Sequence, residues 1–305
     1  MASATAPSTP PPLGPRHWPA WLGIGAMVLL ARLPWALQRV LGRWLGALLH
    51  ASLRARRDIA ARNLELCFPQ LDAAGRDVLL RAHFAAIGIG VFEFARAWWG
   101  STAPLRRGLV VEGVEHVRAA QAGGRGVIVV SGHFTTLEIC GRLMCDHLPL
   151  AGMYRPHAQA AMEWAVRRGR ARYAQAMFRK QDVRGAVKHL KRGGLLWYAP
   201  DQDPSRGDSV YVPFFGRPAH SLTSTHQLAR LSGAAVVVYQ HRRRADGGYT
   251  LKLSPALEGF PSSDATADTA QVMTGIETMV RAAPEQYLWI HRRFKRQPDG
   301  LSSYD

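Results

Sequence analysis

The sequence predicts an α/β fold: a mixed β-sheet flanked by helices, preceded by a helical, hydrophobic N-terminal region. Three observations predict it. From residue 108, short β-branched runs such as Val127-Ile128-Val129-Val130 alternate with helix-length amphipathic stretches. Before residue 108 the chain is rich in Ala, Leu and Arg and carries no strand-like run. Hydrophobic residues make up 47% of 305, which excludes a disordered chain and supports a sizeable core.

Residues 1–17, rich in Pro, Ser, Thr and Ala, read as a disordered tail. Trp18 to Ala31 is free of charge, Arg32 and Pro34 interrupt, and Trp35 to Leu41 resumes the apolar pattern. A spanning helix needs about 20 apolar residues, so 18–41 is expected as a membrane-anchor helix that spans or lies in the interface. Trp18, Trp21, Trp35 and Trp44 flank it as interfacial aromatics do, and the basic run Arg54-Ala55-Arg56-Arg57 suits an anionic membrane surface. A buried core helix is the competing reading.

Residues 42–107 form a helical, membrane-proximal region. One helix over about 43–66 closes at Cys67-Phe68-Pro69, and another runs from about Asp72 to Trp99. Residues 108–298 make the α/β body. Strands are expected at 109–111, 126–131, 194–199, 234–240, 249–253 and 287–290, and helices near 115–121, 136–146, 159–176, 184–191, 222–231 and 267–282. Ala245-Asp246-Gly247-Gly248 signals a hairpin. Residues 299–305 are a short tail.

Lys and Arg number 39 against 22 Asp and Glu, a formal charge of +17. Such a surface expects an anionic partner. The three cysteines cannot build a disulfide framework and lack the paired spacing of a zinc site, so they read as reduced thiols. The chain has no Gly-Lys-Ser/Thr phosphate loop, no Gly-x-Ser-x-Gly elbow and no His-Glu-x-x-His.

The strongest chemical candidate is His133, with Glu138 five residues on. Twelve histidines and 22 acids give about one such spacing by chance, and His241/Asp246 is a second. Context separates them. Asp246 precedes two glycines in the hairpin turn, so that pair reads as structural. His133 follows a buried-type strand and precedes a helix, the junction where α/β proteins place chemistry. Five helical residues turn about 500°, so two such side chains on one helix cannot touch. His133 is therefore expected in the loop, with Glu138 in the first turn reaching back to orient it as a general base. A capping His beside a dipole-stabilised acid is the alternative.

Trp197-Tyr198-Ala199-Pro200-Asp201-Gln202-Asp203 stands at another strand end. Its Asp-x-Asp suits a divalent metal in nucleotide-sugar chemistry, a substrate contact or a turn. Arg167, Arg168, Arg170 and Arg172 offer guanidinium forks for phosphate, or a solvated basic face. His291 to Arg296 interleaves basic and aromatic residues without any nucleic-acid-binding pattern.

Several segments together resemble the lipid A biosynthesis acyltransferases of Gram-negative bacteria, most of all the late, lauroyl-transferring type. They are Arg62-Asn63 through Cys67-Phe68-Pro69, Ser131-Gly132-His133 through Glu138, Met153-Tyr154-Arg155-Pro156, Gly169-Arg170, Trp197 through Asp203, Leu228 through Gly233, Ala283 through Tyr287, and Trp289-Ile290-His291-Arg292-Arg293-Phe294-Lys295. The resemblance covers nearly the whole chain.

It implies a glycerolipid-acyltransferase-like fold and an inner-membrane enzyme with its body on the cytoplasmic face. The reaction it implies moves an acyl chain from acyl carrier protein to a hydroxyacyl group of Kdo2-lipid IVA, with no metal, no other cofactor and no nucleic acid. Anionic inner-membrane lipids are the third partner. By the same resemblance His133 is the base, Glu138 orients it, Arg170 holds phosphate or transition-state charge, Asp201 positions the acceptor or Arg170, and Arg155 is a further substrate-binding candidate. A metal-dependent glycosyltransferase using Asp201 and Asp203 and a non-catalytic, basic membrane-associated protein are the competing functions.

Overall fold

A computed structural model describes residues 10–304. The chain runs α1 (Trp18–Leu30), α2 (Trp35–Ser52), α3 (Arg54–Cys67), α4 (Ala73–Trp99) and α5 (Ala103–Arg106). It continues β1 (Leu109–Glu112), α6 (Val114–Ala122), β2 (Val127–Val130), α7 (Leu137–Met144), β3 (Leu150–Tyr154), α8 (Ala160–Arg170), β4 (Ala176–Arg179), α9 (Val183–Lys191) and β5 (Leu195–Tyr198). Last come β6 (Ser209–Phe214), β7 (Arg217–Leu222), α10 (Ser224–Ser232), β8 (Ala235–Arg243), β9 (Tyr249–Ala256) and α11 (Ala265–Ala282).

Seven strands form one sheet in the order β1-β9-β8-β2-β5-β3-β4. Every neighbouring pair is parallel except β8 and β9, the expected hairpin, so the sheet is mixed. All four residues of β2 are buried, as an unbroken Val/Ile run at a sheet centre requires. Ile128 and Val130 pack into one layer with α10 and α11, while Val127 and Val129 pack into the opposite layer with α6 and α7. Helices therefore cover both faces.

The expected 159–176 helix stops at Arg170, and β4 follows on the sheet edge. The expected strand at 287–290 is a single antiparallel bridge, Tyr287 to Phe134, after a 3-10 turn at Pro284–Gln286. The β6/β7 hairpin carried no Asn-Gly or Asp-Gly signal. Its two-residue turn is Phe215-Gly216, both at positive φ. A bulky residue resists that conformation. Here Glu277 accepts the Phe215 N–H, and the ring packs on Phe68 and Trp289.

Residues 18–41 form two helices, not one. Pro34, which has no N–H to donate, is the N-cap of α2, and the turn before it is held from within the protein. Arg96 of α4 donates to the Leu33 carbonyl at 2.6 Å and to Gln38 at 2.8 Å, while Gln38 donates to Leu30 at 2.5 Å. The single 43–66 helix likewise divides, at Leu53, into α2 and α3. α2 crosses α4 at Gly42, Gly46 and Gly88, where a methyl group on Gly88 would overlap the Gly42 carbonyl.

α4 is, among the described residues, the helix long and apolar enough to cross a membrane; 56% of that stretch is buried inside the protein. Of the expected N-terminal tail, residues 1–9 lie outside the described residues, and Pro15–His17 form a 3-10 turn. At the other end Tyr304 donates to Asn63 of α3, while residue 305 lies outside the described residues.

Candidate active site

Parallel pairing of β2 with β5 builds the centre. Val130 and Tyr198 are register partners, and the Ser131 N–H extends the ladder to the Tyr198 carbonyl at 3.0 Å. His133 and Asp201 each stand three residues beyond those partners, so the two loops leave the same sheet edge side by side. The Asp201 Oδ1 lies 2.6 Å from His133 Nδ1, and its Oδ2 accepts the His133 backbone N–H at 2.9 Å.

Asp201 is fully buried, whereas the His133 side chain is 31% exposed and faces a cleft of about 700 Å³. Burial alone would lower the His133 pKa, but the Asp201 charge and hydrogen bond outweigh it and hold the imidazole above its ordinary value. Burial would raise the Asp201 carboxyl; the His133 charge, its ring N–H and its backbone N–H instead hold it near 2. Nδ1 is thus the proton-bearing nitrogen in the neutral ring. Nε2 has no hydrogen-bond partner among the described residues.

The pairing expected from the five-residue spacing does not form. Glu138, in the first turn of α7, faces away from His133 into the layer between α4 and α8. There Arg170 grips it with two bonds, Nε to Oε1 at 2.9 Å and Nη2 to Oε2 at 2.7 Å. The Trp98 indole and the Tyr173 hydroxyl also donate to Oε1. Burial opposes the charge on Glu138, yet Arg170 and these donors keep its pKa below the usual glutamate value.

The expected role of Asp201 also changes, for both its oxygens serve His133 and Arg170 is held by Glu138 instead. The reason is common to both corrections. Adjacent parallel strands bring their C-terminal loops within contact, whereas the turn at Phe134–Thr136 carries α7 off on a separate heading.

Arg170 ends α8 and lines the same cleft as His133. Its Nε and Nη2 edge is occupied, the guanidinium sits over the Tyr154 ring at 5.8 Å, and Nη1 has no hydrogen-bond partner among the described residues. Arg155 lies exposed just past β3, also lines the cleft, and makes no ion pair among the described residues. With Lys180 and Arg206 it gives the cleft a basic rim; Ile87, Val91 and Phe94 of α4 give it an apolar wall. Arg168 stacks over Trp164, and Arg172, just past the helix, donates to the Trp98 carbonyl.

Asp203 does not join Asp201 in a shared site. Its Oδ1 is held by Arg296 at 2.7 Å and His220 at 3.1 Å. Among the described residues no group of three or more His, Cys, Asp or Glu is placed to hold a metal. The His291–Arg296 segment is a structural wedge. Asn63 donates to the Trp289 and His291 carbonyls, and the buried Arg293 donates to His220 and Ser221.

Sequence reasoning missed Trp98, Tyr173 and the support role of Asn63. Trp98 and Tyr173 are distant in sequence from Glu138, and no spacing rule joins them.

A family model for bacterial lipid A biosynthesis acyltransferase matches residues 8–296. The chain belongs to that family. The lipid A biosynthesis palmitoleoyltransferase of Escherichia coli is 42% identical over 293 residues, covering 95% of each chain. The lauroyltransferase of the same organism is 39% identical, covering 95% of this chain and 96% of that one. Its myristoyltransferase is 25% identical, covering 95% and 91%. Among solved structures, the 1-acyl-sn-glycerophosphate acyltransferase of Thermotoga maritima superposes with a TM-score of 0.39 at 15% identity, covering 83% of this chain and 99% of that one. The lipid A acyltransferase is thus an O-acyltransferase, and its site is to be read as one for ester formation.

Proposed function

We propose that this lipid A acyltransferase carries a lauroyl group from acyl carrier protein to a hydroxyacyl hydroxyl of Kdo2-lipid IVA, at the cytoplasmic face of the inner membrane. The observation that carries the reading is the His133–Asp201 dyad, with Nε2 unpartnered at a cleft that has an apolar wall and a basic rim. A thioester is already activated, so the protein has to remove a proton and stabilise an oxyanion. His133 Nε2 takes the hydroxyl proton as the oxygen attacks the thioester carbonyl. Asp201 holds the tautomer and stabilises the imidazolium. Collapse of the tetrahedral intermediate forms the ester and expels the thiolate, to which the imidazolium returns the proton.

Arg170, kept charged and aimed by Glu138, offers its free Nη1 to an anionic oxygen, as Arg155 does at the rim. Glu138 is then the residue that positions Arg170. The acceptor's phosphates, the acidic carrier and anionic lipid all suit the +17 charge.

Membrane attachment is read from an apolar stripe. Trp18, Leu22 and Leu29 on α1 and Leu37, Val40, Trp44 and Leu48 on α2 are all exposed. α1 spans about 20 Å at 1.5 Å per residue, short of the roughly 30 Å hydrocarbon core, and α2 carries Gln38, Arg39 and Arg43 within its 18 residues, so the reading lays the pair in the interface.

The test is transfer from a panel of acyl carrier protein thioesters to Kdo2-lipid IVA by wild type and His133→Ala. The reading expects the best rate with the lauroyl donor and a loss of about 10²- to 10⁴-fold in the variant. A faster palmitoleoyl or myristoyl reaction would reassign the donor. No transfer from any donor by folded wild type would overturn the reading.

A further inference from the structure

We propose that His241 is a positioning residue for the His133 reaction: a buried imidazole that clamps both ends of the loop carrying the base. The inference rests on the acyl-transfer reading above.

His241 stands on β8, the neighbour of β2 on the side away from β5. Its Nε2 lies 3.0 Å from the Ser131 hydroxyl, where β2 gives way to the loop. Its Nδ1 lies 3.0 Å from the hydroxyl of Thr136, the N-cap residue of α7. Between those anchors the ring meets Phe134 edge-on at 5.4 Å. One side chain thus touches the residue two before His133, the residue after it, and the residue where the loop becomes helix. Asp246, the carboxylate five residues away, takes no part; it accepts from Gly248 and Arg244 in the hairpin turn.

The chemistry suits a clamp more than a titrating group. Burial pushes the His241 pKa down to about 3, so the ring is neutral at neutral pH. A neutral ring donates from one nitrogen and accepts at the other, and a hydroxyl can take either part, so both bonds form with either tautomer. A phenyl ring of similar size would fill the space but take the imidazole partner from two buried hydroxyls, leaving Ser131 a 3.5 Å contact to the Gly132 carbonyl and Thr136 its bond with Cys140.

The loop otherwise rests on the segment following α11: the Thr135 N–H donates to Gln286, and the Leu288 N–H to the His133 carbonyl. On the β5 side the Ser131 N–H reaches the Tyr198 carbonyl and Asp201 holds the His133 N–H; the clamp adds the tie to β8. A displacement of about 1 Å at a reacting group can cost on the order of 100-fold in rate.

The experiment measures steady-state transfer from lauroyl-acyl carrier protein to Kdo2-lipid IVA, per folded enzyme, for wild type, His241→Phe, His241→Asn, His241→Gln and the Ser131→Ala/Thr136→Val double variant. The inference expects kcat to fall about 10- to 100-fold in His241→Phe with both KM values within twofold. It expects Asn and Gln, each able to keep one of the two bonds, to recover part of the loss. The double variant, with His241 intact, is expected to match His241→Phe and stands in for it if that variant does not fold. An unchanged kcat in folded His241→Phe or in the double variant would overturn the inference. So would a loss confined to KM or fully explained by the folded fraction. Wild type inactive with lauroyl-, palmitoleoyl- and myristoyl-acyl carrier protein alike would instead overturn the acyl-transfer reading.

Discussion

His133 and Asp201 meet at 2.6 Å because each lies three residues past a register pair, Val130 and Tyr198, on adjacent parallel strands. The dyad is therefore a property of the sheet's connectivity. β2 and β5 are separated in sequence by two strands and three helices, and the crossover returns them as neighbours.

Asp201→Asn is expected to lower kcat by about 10²- to 10⁴-fold, since it removes the charge that stabilises the imidazolium. Asp201 raises the His133 pKa, and the base must be unprotonated to act. Activity in wild type is lost as pH falls through that raised value. Removing the carboxylate charge lowers it, so the acidic limb of the rate profile moves to lower pH in the variant. A pH series of kcat/KM checks both the loss and the direction.

Glu138→Gln and Arg170→Met test the corrected pairing. Breaking a buried ion pair costs about 3–5 kcal/mol, so each single variant should lose stability, and the double variant far less than their sum. Thermal melts of the four proteins measure the coupling. The acidic limb set by His133 should stay in place in Glu138→Gln; its movement would restore Glu138 as the partner of the base.

Trp44 on α2 is 73% exposed and Leu22 on α1 77%. Leu22→Glu/Trp44→Glu should release the protein from vesicles containing anionic lipid while leaving its melting temperature close to wild type. Flotation with liposomes reads this out. Undiminished flotation would place the contact elsewhere.

Gly88→Ala should destabilise the fold by about 1–3 kcal/mol, as overpacking does, because the new methyl group meets backbone of α2. The melting temperature should fall, with kcat per folded molecule unchanged.

Much of the architecture was legible in the sequence. The Val127–Val130 run announced a buried strand, and the Asp246-Gly247-Gly248 turn announced the β8/β9 hairpin. The buried-type Val127–Val130 run followed by a loop also makes His133 legible as a candidate, and the structure places that residue at the cleft. These are short-range signals, in which side-chain period and turn chemistry act within a few residues.

The partner of His133 was of another kind. Its nearest acid in sequence, Glu138, is turned by α7 toward Arg170, while Asp201, 68 residues away, closes on the ring. Likewise the apolar stretch 18–41 reads as one helix until Arg96, from α4, is seen bonding Leu33 at the break. Composition and local pattern by themselves determined most of the elements, the basic balance and the loop that carries His133. Only the tertiary structure decided which charge faces which, because strand order and helix heading set those distances and no spacing along the chain encodes them.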